Sequence, residues 1–148
     1  MRLTDIAKKV GDELYVSPWM TIRQDRIAAF AEATEDRQWL HTDPAKCQAE
    51  SPWKTTVAHG FLTLSLIPHL MSGFSDTLAL KSKINYGLNR VRFTEAVRVN
   101  DHVRGRFKLL EAKELRGGMV KTVVEVTVEI EGRPKPALVA ESILLMTA

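Results

Sequence analysis

The stretch Gly60–Gly73, GFLTLSLIPHLMSG, decides how the rest of the chain must be arranged. Phe61, Leu62, Leu64, Leu66, Ile67, Leu70 and Met71 spread around most of a helical circumference. That pattern predicts a helix, Gly60–Met71, buried on nearly every side. Pro68 removes a backbone hydrogen bond and should kink the helix or shorten its last turn. Gly73 reads as its stop. So apolar a helix needs a surface to wrap it, and the sequence beyond it supplies one.

Downstream the hydrophobic period changes to two. Val120, Thr122, Val124, Val126, Val128 and Ile130 alternate with Lys121, Val123, Glu125, Thr127 and Glu129, a long half-buried strand. Gly117-Gly118 predicts a hairpin from a strand at Val103–Leu110, and Gly132-Arg133-Pro134 a turn into Ala137–Met146. A further strand at Ile84–Phe93 and an early one near Leu14–Val16 complete five mostly antiparallel strands. An α+β fold with the sheet wrapped around the apolar helix hides both surfaces.

Upstream of the helix the chain reads helical. Thr21-Ile22-Arg23-Gln24 has the form of a capping box, and Ile27, Phe30, Ala31 and Thr34 recur at the spacing of one helical face. Asp43-Pro44 reads as an N-cap followed by proline at the first helical position, opening a short helix to Glu50. SPWKTTVAHG, ending at Gly60, is loop-like.

The chain of 148 residues fits one domain with a real core, here taken as 1–148. Its 45% hydrophobic and 26% charged content is that of a soluble globular protein. A net charge of +3, without a basic block, does not call for nucleic acid and suits a small anionic ligand. One cysteine, Cys47, excludes an internal disulfide and a cysteine-rich zinc site. The N-terminal stretch has no signal-peptide core and nothing reads as a membrane span, so a cytoplasmic location is expected.

The densest chemistry lies in EDRQWLHTDP, Glu35–Pro44. On a continuous helix Asp36 and His41 would point roughly 140° apart. They converge only if the chain leaves helical geometry between them, which the helix start at Asp43 implies. Such a bend can offer a carboxylate and an imidazole to one water. Spacing alone favours an ordinary polar loop, since aspartate and histidine are common in turns. The histidines His41, His59 and His69 with Asp43 lack a metal-ligand spacing. Ala58-His59-Gly60 stands at the helix start, where backbone amides lack partners and glycine lets a ligand oxygen approach. An amide there can stabilise an oxyanion, or Gly60 can simply permit close packing.

D-x-x-x-x-H followed by A-H-G and a buried helix resembles the MaoC-like (R)-specific enoyl-CoA hydratases of the hotdog superfamily. NYGLNRVRFTEAV (Asn85–Val97) and PALVAESILL near the end extend the likeness, notably to its single-domain, nodulation-protein-N-like branch. The resemblance implies a hotdog fold, a homodimer with sites near the subunit boundary, a role in fatty acid metabolism, and no cofactor or metal. It implies that Asp36 and His41 are the catalytic pair holding the water. Gly60 then matches the glycine whose amide faces the thioester oxygen, with Gln38 and His59 beside it in the oxyanion and substrate-binding set. Gln38 stands where the commoner pattern has asparagine, Trp39 where it has proline, and Glu35 where it often has glycine. A pocket serine of some relatives falls at Pro68, with Ser65 nearby, and is not carried over.

The implied reaction adds water to a trans-2-enoyl-CoA, giving 3-(R)-hydroxyacyl-CoA. It needs a base at the water, a proton for C2 and stabilisation of an enolate-like oxygen, which Asp36, His41 and the Gly60 amide can supply. Lys46, Lys54, Arg90 and Arg92 can meet CoA phosphates or stand as solvated surface groups. Tyr86 and Asn89 can border the acyl pocket or a subunit contact. The alternatives are a hotdog acyl-CoA thioesterase and a non-catalytic acyl-CoA binding protein, since one fold hosts all three.

Overall fold

Strand β5, Val120–Ile130, has the alternation predicted for it, with Val120, Thr122, Val124, Val126, Val128 and Ile130 all buried, interrupted at Val123, which is buried as well. In the computed structural model, which describes Met1–Ala148, β5 is the centre of an antiparallel sheet. Its neighbours are β4 (His102–Glu114) and β6 (Leu138–Thr147), and the order continues to β1 (Glu13–Val16) on one side and β3 (Ser82–Phe93) on the other. In register, Val126 lies between Phe107 and Ala140. The predicted turns are present, with Gly117, Gly118 and Gly132 at φ of 77, 73 and 76°, where a side chain would be strained.

The sheet has six strands, not five. Met20–Thr21 (β2) pairs with the start of β4, Met20 opposite Val103. Two residues are too few to show a period, so no sequence pattern announces this strand. Leu3–Lys9 likewise forms a 3-10 helix whose Leu3 and Ile6 are buried in the core.

The apolar helix lies across the sheet, but not as one piece. It consists of α4 (Gly60–Ser65), α5 (Ile67–Leu70) and α6 (Ser72–Ser75), packing in turn against β6, β4 and β1. Leu62, Leu66, Ile67, Leu70, Met71 and Phe74 join a core with Phe107, Leu109, Val124 and Leu138. The interruption expected from Pro68 falls just before it, at Leu66, because the imide nitrogen cannot bond back to the preceding turn.

Two expectations for this segment are corrected. Gly73 is not the stop; it lies inside α6, and the Tyr15 hydroxyl occupies the space a Cβ would need. Nor is the helix buried all round, since Phe61, Ser65 and His69, four residues apart, form an exposed stripe, with Phe61 67% exposed. A third correction concerns Thr21 and Gln24. Helix α1 (Gln24–Thr34) starts at Gln24, Thr21 belongs to β2, and no side chain caps the helix. Ile27 and Ala31 are buried as expected, while Thr34 is exposed.

Candidate active site

Helix α1 ends because Glu35 turns to the left-handed region, φ 61°. Glycine suits that geometry, which explains the glycine of the commoner pattern at this position. Asp36, Arg37 and Gln38 then cross to a one-turn helix, α2 (Trp39–Thr42), on which His41 N–H donates to the Gln38 carbonyl at 3.0 Å. Helix α3 (Pro44–Glu50) follows at once, with Asp43 Oδ1 accepting from the Lys46 N–H at 3.0 Å as predicted. The chain therefore bends between Asp36 and His41, and their side chains converge: donor atoms of Asp36, His41 and His59 all lie within 4.8 Å of one another.

His41 is buried, with Nδ1 2.7 Å from the Val57 carbonyl. A carbonyl only accepts, so Nδ1 carries the proton and Nε2 keeps its lone pair. Burial holds the His41 pKa below the ordinary histidine value; the Val57 carbonyl opposes this, nearby His59 reinforces it and the Asp36 carboxylate opposes it. The result is an imidazole that is a free base at neutral pH, beside a half-exposed carboxylate.

His59 is more deeply buried, at 3% exposure. Its Nε2 lies 2.9 Å from the Asp36 main-chain oxygen and 4.0 Å from Oδ2. Its ring stacks on His41 with centroids 3.7 Å apart, and Phe30 lies 4.9 Å away. Two rings stacked face to face direct their nitrogens along near-parallel planes. One nitrogen of each is also engaged with a carbonyl. One ligand atom from each of Asp36, His41 and His59 still lies within 4.8 Å of the others, a grouping that the spacing of these residues in the sequence did not show.

Gly60 opens α4, and its N–H and that of Phe61 have no hydrogen-bond partner within the chain. The Phe93 ring is 3.1 Å from where a Cβ on Gly60 would lie, so a side chain there would require that exposed ring to shift by a few tenths of an ångström. Gly60 adjoins His59, which puts these free amides beside the Asp36–His41 bend.

The other residues singled out in the sequence are scattered. The Gln38 side chain is exposed and makes no hydrogen bond within the chain. Lys46 stands over the Trp39 ring, 4.7 Å from its centroid, fixing the indole against α3. Lys54 takes φ 59° in the loop before Gly60. Arg90, Arg92, Tyr86 and Asn89 are exposed on β3, and Ser65 Oγ donates to its own helix at the Phe61 carbonyl. Sequence reasoning missed Gln24 as part of this region. Its Nε2 donates to the His41 carbonyl at 2.8 Å, and its Oε1 accepts from the buried Thr56 hydroxyl. Helical spacing could not reveal that bond, because it joins elements distant in the chain.

Comparison with known proteins agrees with this architecture. The sequence model of the MaoC like domain matches residues 5–131. The chain is 44% identical over 146 residues to 3-hydroxyacyl-thioester dehydratase Z of Mycobacterium tuberculosis (strain ATCC 25618 / H37Rv), covering 99% of this chain and 96% of that protein. It is 43% identical over 147 residues to Nodulation protein N of Rhizobium leguminosarum bv. viciae, covering 99% and 91%. Among solved structures, the MaoC-like dehydratase from Rhodospirillum rubrum superposes with a TM-score of 0.77 at 19% identity, covering 99% and 97%, which shows the shared hotdog fold. With a family match over most of its length and relatives of this identity, the chain belongs to the MaoC-like dehydratase family.

Proposed function

We propose that the protein is an (R)-specific enoyl-CoA hydratase, reversibly adding water to trans-2-enoyl-CoA. The observation that carries this reading is the open Nε2 of His41 beside the Asp36 carboxylate, with the unbonded Gly60 amide next to His59. Water held between Asp36 and His41 delivers its oxygen to C3 of the enoyl group. The proton it loses is taken by this pair and returned to C2. Charge that develops on the thioester oxygen is met by the Gly60 N–H. Run backwards, the same steps dehydrate a 3-hydroxyacyl thioester, the reaction class in the name of the M. tuberculosis relative. Gln38, exposed at the rim, is assigned to substrate contact. No cofactor enters these steps.

Residues 1–148 act as one domain in this reading, in the cytoplasm, and as a homodimer. Support for the dimer comes from β3, which pairs only with β6 and leaves its other edge open. Ile84, Tyr86, Leu88 and Phe93 on it, and Phe61 beside it, are large apolar side chains exposed in the isolated chain. A second copy of β3 would cover them. A cavity of about 390 Å³ between Leu64, Ile67 and Pro68 on the helix and Asn85 and Leu88 on β3 adjoins that edge and offers room for an acyl chain.

The test is hydration of crotonyl-CoA and longer enoyl-CoAs, with chiral analysis of the product. Formation of the (R)-3-hydroxy ester supports the reading; folded protein that hydrates none of them sinks it. Free CoA released from saturated acyl-CoA would instead indicate a thioesterase.

A further inference from the structure

The backbone of the Asp36–His41 bend is held at both ends by side chains from elsewhere. At one end His59 Nε2 lies 2.9 Å from the Asp36 carbonyl oxygen. At the other, Gln24 Nε2 donates to the His41 carbonyl at 2.8 Å. Neither contact follows from local helix or turn geometry, since Gln24 starts α1 and His59 precedes α4. The intervening loop is tied in as well. Thr56 donates to Gln24 Oε1, Val57 N–H donates to the Leu40 carbonyl at 3.0 Å, and the Val57 carbonyl receives His41 Nδ1–H.

His59 carries two features that packing alone leaves unexplained. Its Nδ1 is buried without a hydrogen-bond partner, an arrangement that costs free energy. Its ring also covers a full face of the His41 imidazole, with Phe30 beside it. A phenylalanine would fill this space without leaving a polar atom unsatisfied. What only the imidazole offers here is an N–H aimed at the Asp36 carbonyl from a rigid, flat ring.

We propose that His59 and Gln24 are positioning residues that clamp the two ends of the bend, so that Asp36 and His41 address the same water. This rests on the hydratase reading above. His59 fixes the start of the bend through the Asp36 carbonyl and the plane of His41 through stacking. Gln24 fixes its end and joins it to Thr56. Neither touches the reacting atoms. Their contribution is geometric, and small displacements of reacting groups are known to be expensive in rate.

The experiment compares wild type with His59→Phe, His59→Gln and Gln24→Leu, using crotonyl-CoA hydration kinetics and the imidazole ¹⁵N spectrum. His59→Phe keeps the ring and loses the donor, whereas His59→Gln can return an N–H to the Nε2 position. The expected result is a fall in kcat of about 10²-fold for His59→Phe and for Gln24→Leu, with KM changed little. His59→Gln should recover most of the loss. The titratable groups facing His41 are Asp36 and His59. Both His59 variants should therefore move the acid limb of kcat/KM to higher pH, whereas Gln24→Leu, which leaves both groups in place, should not; a shift in all three variants would indicate general loosening around His41 instead. In the spectrum, wild type should show His59 protonated on Nε2 and His41 on Nδ1, and His59→Phe should mix the His41 tautomers. Folded His59→Phe with wild-type kcat and an unchanged His41 spectrum overturns the proposal. Wild type without hydratase activity would sink the parent reading, and the spectra alone would then decide whether the clamp exists.

Discussion

His41 shows how a single side chain takes its chemistry from its surroundings. Burial disfavours its charged form, and the Val57 carbonyl selects the tautomer with a free Nε2. In the proposed mechanism the base is the neutral ring, so kcat/KM should fall on acidification with an apparent pKa below the ordinary histidine value of about 6.5. The same shift affects stability. A histidine whose folded pKa is lowered binds more protons when unfolded, so stability rises with pH through this window and is lost as pH drops beneath about 6.5. The wild-type curve of unfolding free energy against pH should therefore slope more steeply there than that of His41→Gln, measured by denaturant titration. Asp36→Asn and His41→Gln should each lower kcat by about 10²–10⁴-fold. Retained turnover in both, with intact folding, would remove them from the mechanism.

The elements explain why these residues meet. The left-handed Glu35 stops α1, a single turn presents His41, and the Asp43 cap with Pro44 starts α3 immediately afterwards. Asp43→Ala deletes the side-chain bond to the Lys46 N–H and should cost about 1 kcal/mol of stability, read from the urea midpoint. This cap was legible because Asp-Pro is a local signal whose partners lie within one turn. The supposed capping box at Thr21 failed for the opposite reason. Thr21 is drawn into a strand by β4, and Gln24 is drawn to the His41 carbonyl by tertiary packing. The interruption near Pro68 was readable from the missing N–H, but not the glycine at 73, which leaves room for the Tyr15 hydroxyl arriving from β1.

At the scale of the molecule, the sheet hides one face of the helix and leaves Phe61 and the apolar side chains of the β3 edge exposed. Both adjoin the Gly60 amide, through Phe61 itself and through Phe93. Placing a charge on this edge, as in Leu88→Lys, should convert the proposed dimer to monomers in sedimentation equilibrium. Because the site lies beside the edge, hydratase activity should fall with it. A wild-type protein that sediments as a monomer while fully active would refute the proposed assembly.

The sequence by itself determined five of the six strands, their turns, the apolar helix and the bend between Asp36 and His41, because each is written in a local period or a local stop signal. Its resemblance to a family also pointed to Asp36, His41, Gly60, Gln38 and His59. Tertiary structure alone decided what those residues touch. It buried His59 behind Asp36, stacked it on His41, and brought Gln24 and Val57 from distant parts of the chain to fix the bend. Hydrogen bonds and stacking between remote segments leave no periodic trace along a chain, so only the folded molecule could show them.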